Sequence, residues 1–208
     1  MRRVWVDPAS PQRDAIEEAG KWIRAGRVVA IPTDTLYGLA ADPFSDAAVD
    51  ALFAAKDRPA ERAVPLIAGD REQVERVLGR LTPLGAALAE RGWPGPLTLV
   101  VAAPRSLAAG VTGGTGTVGV RVPNHAVARA IARAAGGPVT ATSANISGQP
   151  ATDDPDRVEA ALGGRIEMLV DVGRTAGGLP STIVDVTGAE PRLIRAGAVP
   201  WDEMVTWL

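Results

Sequence analysis

The chain has no cysteine, so disulfides, thiolate metal sites and a cysteine nucleophile are all excluded. It has a single histidine, His125, near the expected start of a helix, where it reads as a surface residue. One histidine cannot build a zinc site, and no nucleophile motif stands ready to complete a triad with it. Tyr37 is the only tyrosine. The five tryptophans read as core or edge packing, with Trp93 placed just before a strand where it could also wall a pocket. Lysine is scarce: of 22 cationic residues only Lys21 and Lys56 are lysine, and the rest are arginine. No apolar run is long enough to span a bilayer, and the basic start, Met1-Arg2-Arg3, lacks the apolar stretch of a signal peptide. A cytoplasmic location without membrane contact is therefore expected. The formal net charge of −2 gives no global attraction to nucleic acid, so RNA binding would need a local basic patch. There is no Gly-x4-Gly-Lys-Ser/Thr run, which excludes a P-loop.

What is present is a 46% hydrophobic chain of 208 residues, enough for one domain over residues 1–208 with a substantial core. Ser10 and Pro11 suggest a helix start, with Ile16, Ala19, Trp22 and Ile23 at helical spacing and a stop at Gly26. Further helices are expected from Ser45 to Lys56, Asp70 to Leu78, Thr82 to Gly92, Asn124 to Ala135 and Asp154 to Leu162. Apolar or alternating runs predict strands over 28–31, 64–68, 97–101, 118–122, 139–141, 168–172, 182–186 and 192–194. Residues 106–117 are glycine-rich and read as a loop, and 173–180 as the most mobile segment. Late strands follow one another without helices, which favours a mixed, twisted sheet flanked by helices over a purely parallel one.

Polar residues cluster where apolar runs end, the usual place for a ligand site in layered α/β proteins. Thr33, Asp34, Thr35 and Tyr37 follow the 28–31 run. They offer hydroxyls, a carboxylate and a phenol that could hold an amino acid, although Pro, Thr, Asp and Gly are also ordinary turn residues. Lys56, Arg58 and Arg62 follow a helix end. The helix dipole favours cations there in any protein, while the same cluster suits a triphosphate. If a point charge is needed at Lys56, arginine could not supply it. Ser143 and Asn145 follow a short strand, either as turn chemistry or as donors to phosphate. Thr117 ends the glycine-rich loop. Arg121 closes the next strand. Ser181 and Arg195 lie in the late strands, where Arg195 could equally be a surface charge.

Together these runs, Pro32-Thr33-Asp34-Thr35-Leu36-Tyr37-Gly38-Leu39, Lys56-Asp57-Arg58 and Ser143-Ala144-Asn145, resemble the threonylcarbamoyl-AMP synthase (YrdC-like) family. The resemblance runs from about Gly26 to Val199. It implies a YrdC-like twisted mixed sheet with an open concave ligand site. It also implies an L-threonylcarbamoyladenylate synthase, a nucleotidyltransferase using L-threonine, bicarbonate and ATP, with Mg²⁺ arriving on the nucleotide and no protein-only metal cage. Its product would pass through downstream threonylcarbamoyl-transfer proteins to tRNA, next to the anticodon, with direct tRNA contact possible. By resemblance Lys56, Arg58, Ser143 and Asn145 form a catalytic signature. The same four, with Arg62, Thr117 and Arg195, would bind ATP, and Thr35, Tyr37, Arg121 and Ser181 would hold threonine.

The chain departs from part of the family at Ile67, where some members carry a histidine near the substrate. Longer members add a second domain that closes over the site; this chain resembles the short form. Two other readings follow from the same resemblance. One is an RNA-binding YrdC-like module without synthase activity, using stretches such as Arg58 to Arg62. The other is a carbamoyl-transfer domain of the kind fused into hydrogenase-maturation proteins.

Overall fold

A computed structural model of the chain describes residues 1–57 and 63–208. In chain order the first half comprises β1 (Arg2–Trp5), α1 (Arg13–Arg24), β2 (Val29–Ile31), β3 (Gly38–Ala40), α2 (Asp46–Lys56), β4 (Leu66–Ile67), α3 (Arg71–Leu78), α4 (Pro83–Gly92) and β5 (Leu97–Ala102). The second half comprises α5 (Ala109–Thr112), β6 (Thr117–Arg121), α6 (Ala126–Ala134), β7 (Val139–Thr140), β8 (Thr142–Ser143), α7 (Pro155–Leu162), β9 (Met168–Asp171), β10 (Thr182–Asp185), β11 (Arg192–Arg195) and α8 (Trp201–Val205).

The strands are mixed, as expected, but they form two sheets. One has the order β1-β9-β2-β3-β8 and the other β11-β10-β5-β6-β4-β7. The chain crosses from the second sheet to the first at Ala141, the one residue between β7 and β8. A single strand over 139–141 was expected there. The five-residue stretch Val139 to Ser143 cannot stay in one ladder when Leu66 pairs with Thr140 in one sheet and Leu39 pairs with Thr142 in the other.

The apolar runs 28–31 and 97–99 are buried on both faces, which is why they read as continuous and not alternating. One apolar core includes β2 and β3 of the first sheet and β4 and β6 of the second. A smaller one, built on Leu88, Leu97, Leu99, Val184 and Met204, lies beneath α4 and α8. Helices α1 and α6 touch at Gly20, where any Cβ would sit 2.7 Å from the carbonyl carbon of Ala134. Only glycine permits that approach.

Several local expectations need correction. α1 is capped at Gln12, not Ser10, and without a side-chain cap bond. The 106–117 loop contains the single turn α5, because Leu107, Ala108 and Val111 are buried. Trp93 packs between the two cores and donates its indole N–H to the Leu97 carbonyl at 2.7 Å.

His125, not Asn124, caps α6: its Nδ1 accepts the Ala128 N–H at 3.5 Å. Burial pulls the His125 pKa below its usual value, Asp34 opposes this, and Arg129 reinforces it. The folded state therefore favours neutral imidazole. Below about pH 6.5 the unfolded chain binds this proton before the folded chain does, so the contribution is whole above that pH and is lost as pH falls. We expect the Tm to drop between pH 7.5 and 5.5, and Asn at position 125, which still caps, to flatten that drop by about 2–4 °C in calorimetry. Equal slopes in the two proteins would refute the assignment. Asp70 and Asp185, whose pKa values are lowered from an already acidic range, titrate below this window.

Candidate active site

A cavity of about 380 Å³ opens where the two sheets meet. The first sheet and its loops contribute Thr33, Thr35, Leu36, Tyr37, Thr142 and Ser143. The second contributes a single cross-strand row. Ile67 of β4 pairs with Arg121 of β6, and the register of β5 on β6 sets Thr98 opposite Arg121. Thr98 pairs with Ile183 of β10, which pairs with Arg195 of β11. Residues in register share a face, and all five line the cavity. Three strand spacings separate Arg121 from Arg195, about 14 Å between their Cα atoms. The row thus carries a cation at an inner and an outer position.

The inner cation is buried. Arg121 lies 3.0 Å from Asp34, with side-chain exposures of 9% and 10%. The guanidinium N–H does not point at that oxygen: Arg121 Nη1 and Asp34 Oδ1 both lack a hydrogen-bond partner among the described residues. Burial lowers the Arg121 pKa; Asp34 opposes the shift and Arg195 adds to it. Arginine nevertheless stays charged. A buried guanidinium that lines a cavity is suited to an anionic ligand.

Hydroxyls lie close by. Thr33 Oγ1 donates to the Leu36 carbonyl at 2.7 Å, so Thr35 is the donor in the 3.2 Å contact between the two threonine hydroxyls. That leaves the lone pairs of Thr35 free to accept from a ligand. Ser181 Oγ and Thr98 Oγ1 are 2.8 Å apart, and Arg195 donates to Ser181 Oγ at 3.2 Å and to its carbonyl at 2.7 Å. Two hydroxyls sharing one bond retain one proton for a ligand. Ile67, Leu66, Pro65, Ala141 and Ile183 supply the apolar surface.

The site residues expected from the sequence divide clearly. Thr35, Arg121, Ser143, Ser181 and Arg195 meet at the cavity. Arg195 does lie on an exposed edge strand, but its guanidinium turns onto Ser181. Arg58 and Arg62 lie outside the described residues.

Four of the expected site residues bond to the chain itself. Tyr37 is a wall residue whose phenol is already engaged: it donates to the Gly173 carbonyl at 2.7 Å and accepts from Val172 N–H at 3.1 Å. Burial pushes this phenol up to about 12. Lys56 is buried, and its ammonium donates to the carbonyls of Ser143 and Asn145 and to Asn145 Oδ1. Three acceptors converging on one point suit an ammonium better than a planar guanidinium fork. Asn145 accepts from Lys56 and donates Nδ2 to the carbonyls of Ile146 and Gln149, so its amide shapes the loop and does not face the cavity. Thr117 stands at the opposite end of β6 from Arg121 and bonds to Thr115 Oγ1 at 3.0 Å.

The segment expected to be mobile is pinned at its start. Thr175 Oγ1 and Gly177 N–H both donate to the Thr35 carbonyl at 2.8 Å, and Arg174 pairs with Asp153 and Asp154. Sequence reasoning missed Thr98 and Thr142. Their signal was a buried hydroxyl within or beside an apolar strand. No group of three or more His, Cys, Asp or Glu residues that could hold a metal occurs among the described residues.

The fold and cavity define a two-sheet α/β protein with a cleft lined by Arg121 and Arg195 at the sheet junction. The family model named for Sua5, YciO and YrdC, described as telomere recombination, matches residues 21–197. The chain belongs to that family. The threonylcarbamoyl-AMP synthase of Pyrococcus abyssi is 39% identical over 197 residues, which cover 92% of this chain and 58% of that protein. A putative threonylcarbamoyl-AMP synthase of Mycobacterium tuberculosis strain H37Rv is 38% identical over 194 residues, covering 93% of this chain and 88% of the relative. The crystal structure of P. abyssi Sua5 complexed with L-threonine superposes with a TM-score of 0.94 at 36% identity, covering 100% of this chain and 61% of that one. The chain thus spans less than two thirds of the archaeal relative's length.

Proposed function

We propose that residues 1–208 form one domain that catalyses synthesis of threonylcarbamoyl-AMP from L-threonine, bicarbonate and ATP, with release of pyrophosphate. The single observation that carries this reading is the row Ile67-Arg121-Thr98-Ile183-Arg195, which places a buried cation and an outer cation on one cavity wall. The inner end complements a small hydroxy amino acid. Arg121 takes the carboxylate, Thr35 accepts from the ammonium or hydroxyl, and the Thr98–Ser181 pair supplies a donor. The outer end, with Arg195 and Ser143, would meet phosphate, and family resemblance carries Arg58 and Arg62 as further ATP contacts. Similarity to a protein whose structure was solved with L-threonine supports the choice of amino acid.

In the proposed reaction the neutral threonine amine attacks the bicarbonate carbon, forming a C–N bond and losing water. The resulting carbamate oxygen attacks the α-phosphate of ATP, the bond to the β-phosphate oxygen breaks, and pyrophosphate departs. No general base of the chain is required in the second step. Catalysis by this chain is positioning and charge neutralisation. Mg²⁺ is carried in on ATP as part of the substrate. A transfer protein would then pass the threonylcarbamoyl group to tRNA, releasing AMP. No helix among the described residues is long and apolar enough to cross a membrane.

The test is pyrophosphate release by purified protein with Mg²⁺–ATP, with and without L-threonine and bicarbonate. Release is expected only when both are present. Folded protein that binds RNA in a salt-dependent way but releases no pyrophosphate would favour the RNA-binding reading instead.

A further inference from the structure

Asp34 stands behind Arg121. Its Oδ1 is 3.0 Å from Arg121 Nη1, and its Oδ2 accepts the Asn124 backbone N–H at 3.0 Å. Arg121 lines the cavity, and Asp34 is not among the lining residues. Asp34 therefore acts on a ligand through Arg121. A buried guanidinium alone attracts any anion that fits, and attraction grows with the ligand's charge in a water-poor site. A polyphosphate would then compete with a carboxylate for the inner end.

The carboxylate behind Arg121 changes this balance. It brings the formal charge of the pair to zero while Arg121 still lines the cavity. Directed bonds to a monocarboxylate survive, but the added attraction for a multiply charged phosphate is largely cancelled. The outer cation differs. Arg195 donates to the neutral carbonyl and hydroxyl oxygens of Ser181, so its charge stays open to phosphate. We propose that Asp34 is a specificity-determining residue that reserves the inner end of the cavity for a monocarboxylate and directs polyphosphate to the outer end. The amino acid and the nucleotide then enter in one relative orientation. This inference rests on the synthase reading above.

The experiment measures L-threonine binding by calorimetry with and without saturating inorganic tripolyphosphate, in wild type and Asp34→Asn. In wild type, tripolyphosphate should change the threonine Kd less than twofold. In Asp34→Asn it should become a competitor and raise the apparent Kd at least tenfold. Asp34→Glu, which keeps the charge, should restore exclusion. If Asp34→Asn does not fold, Asp34→Ser carries the same test, since its hydroxyl can still accept the Asn124 N–H. Competition absent from both charge-removing variants, or equal in wild type, overturns the assignment of Asp34 alone. Wild-type protein that binds no threonine overturns the synthase reading, and this inference with it.

Discussion

Arg121→Ala should cut the kcat/KM for threonine by roughly 10²–10³ and also destabilise the protein. The first effect follows from losing charge-assisted bonds to a carboxylate, each worth about 1.5–3 kcal/mol. The second follows from the other side of the guanidinium. Asp34 is buried beside it, and removing one partner of a buried pair costs about 3–5 kcal/mol because the remaining charge is stranded. Urea denaturation would read the stability term and calorimetry the binding term. The two separate in the double variant Asp34→Leu/Arg121→Met. Replacing both members of a buried pair by apolar groups is often neutral, so most of the stability should return while threonine binding does not. Arg121→Ala with unchanged threonine affinity would remove Arg121 from the site.

Lys56→Ala should be the other large effect, with a different signature. The ammonium holds the carbonyls of Ser143 and Asn145, and the Lys56 carbonyl accepts the Ser147 N–H at 2.7 Å. Truncation leaves buried acceptors without this donor, at a cost of about 2–4 kcal/mol. Ser143 lines the cavity, so the slack passes directly to the site. Activity should fall at least about 100-fold, the reach of a misplaced group. Lys56→Arg should recover little, since a planar fork cannot serve three acceptors around one point. The comparison to make is thermal melting beside ATP and threonine KM values. A Lys56→Ala protein as stable as wild type, with only the ATP KM raised, would mean that Lys56 contacts phosphate directly. The structure thus gives the link between Lys56-Asp57-Arg58 and Ser143-Ala144-Asn145 a mechanical content: one run grips the other.

Residue types and spacing were enough to indicate where polar chemistry meets an apolar strand. Thr35, Arg121, Ser143, Ser181 and Arg195 were all named in that way, although turn chemistry or a surface charge could account for several of them along the chain alone. The strand over 28–31 was legible because burial on both faces leaves a continuous apolar run, while β10 shows an alternating buried pattern. The short pieces were not. β3 and β8 have three and two residues, too few to show a period, and each exists only because its neighbour offers a ladder.

The division of labour within the site was equally invisible along the chain. A buried phenol, amide or ammonium reads the same in sequence whether it faces a ligand or a backbone carbonyl. Tyr37, Asn145 and Lys56 face the chain itself, and only packing decides that. The sequence by itself determined the α/β class, the buried strands and most of the chemistry available. Tertiary structure decided that strands β4, β6, β5, β10 and β11 lie side by side, setting Ile67, Arg121, Thr98, Ile183 and Arg195 in one row. The physical reason is that strand order and register are fixed by pairing between residues far apart in sequence, and no local periodicity records which partner a strand will find.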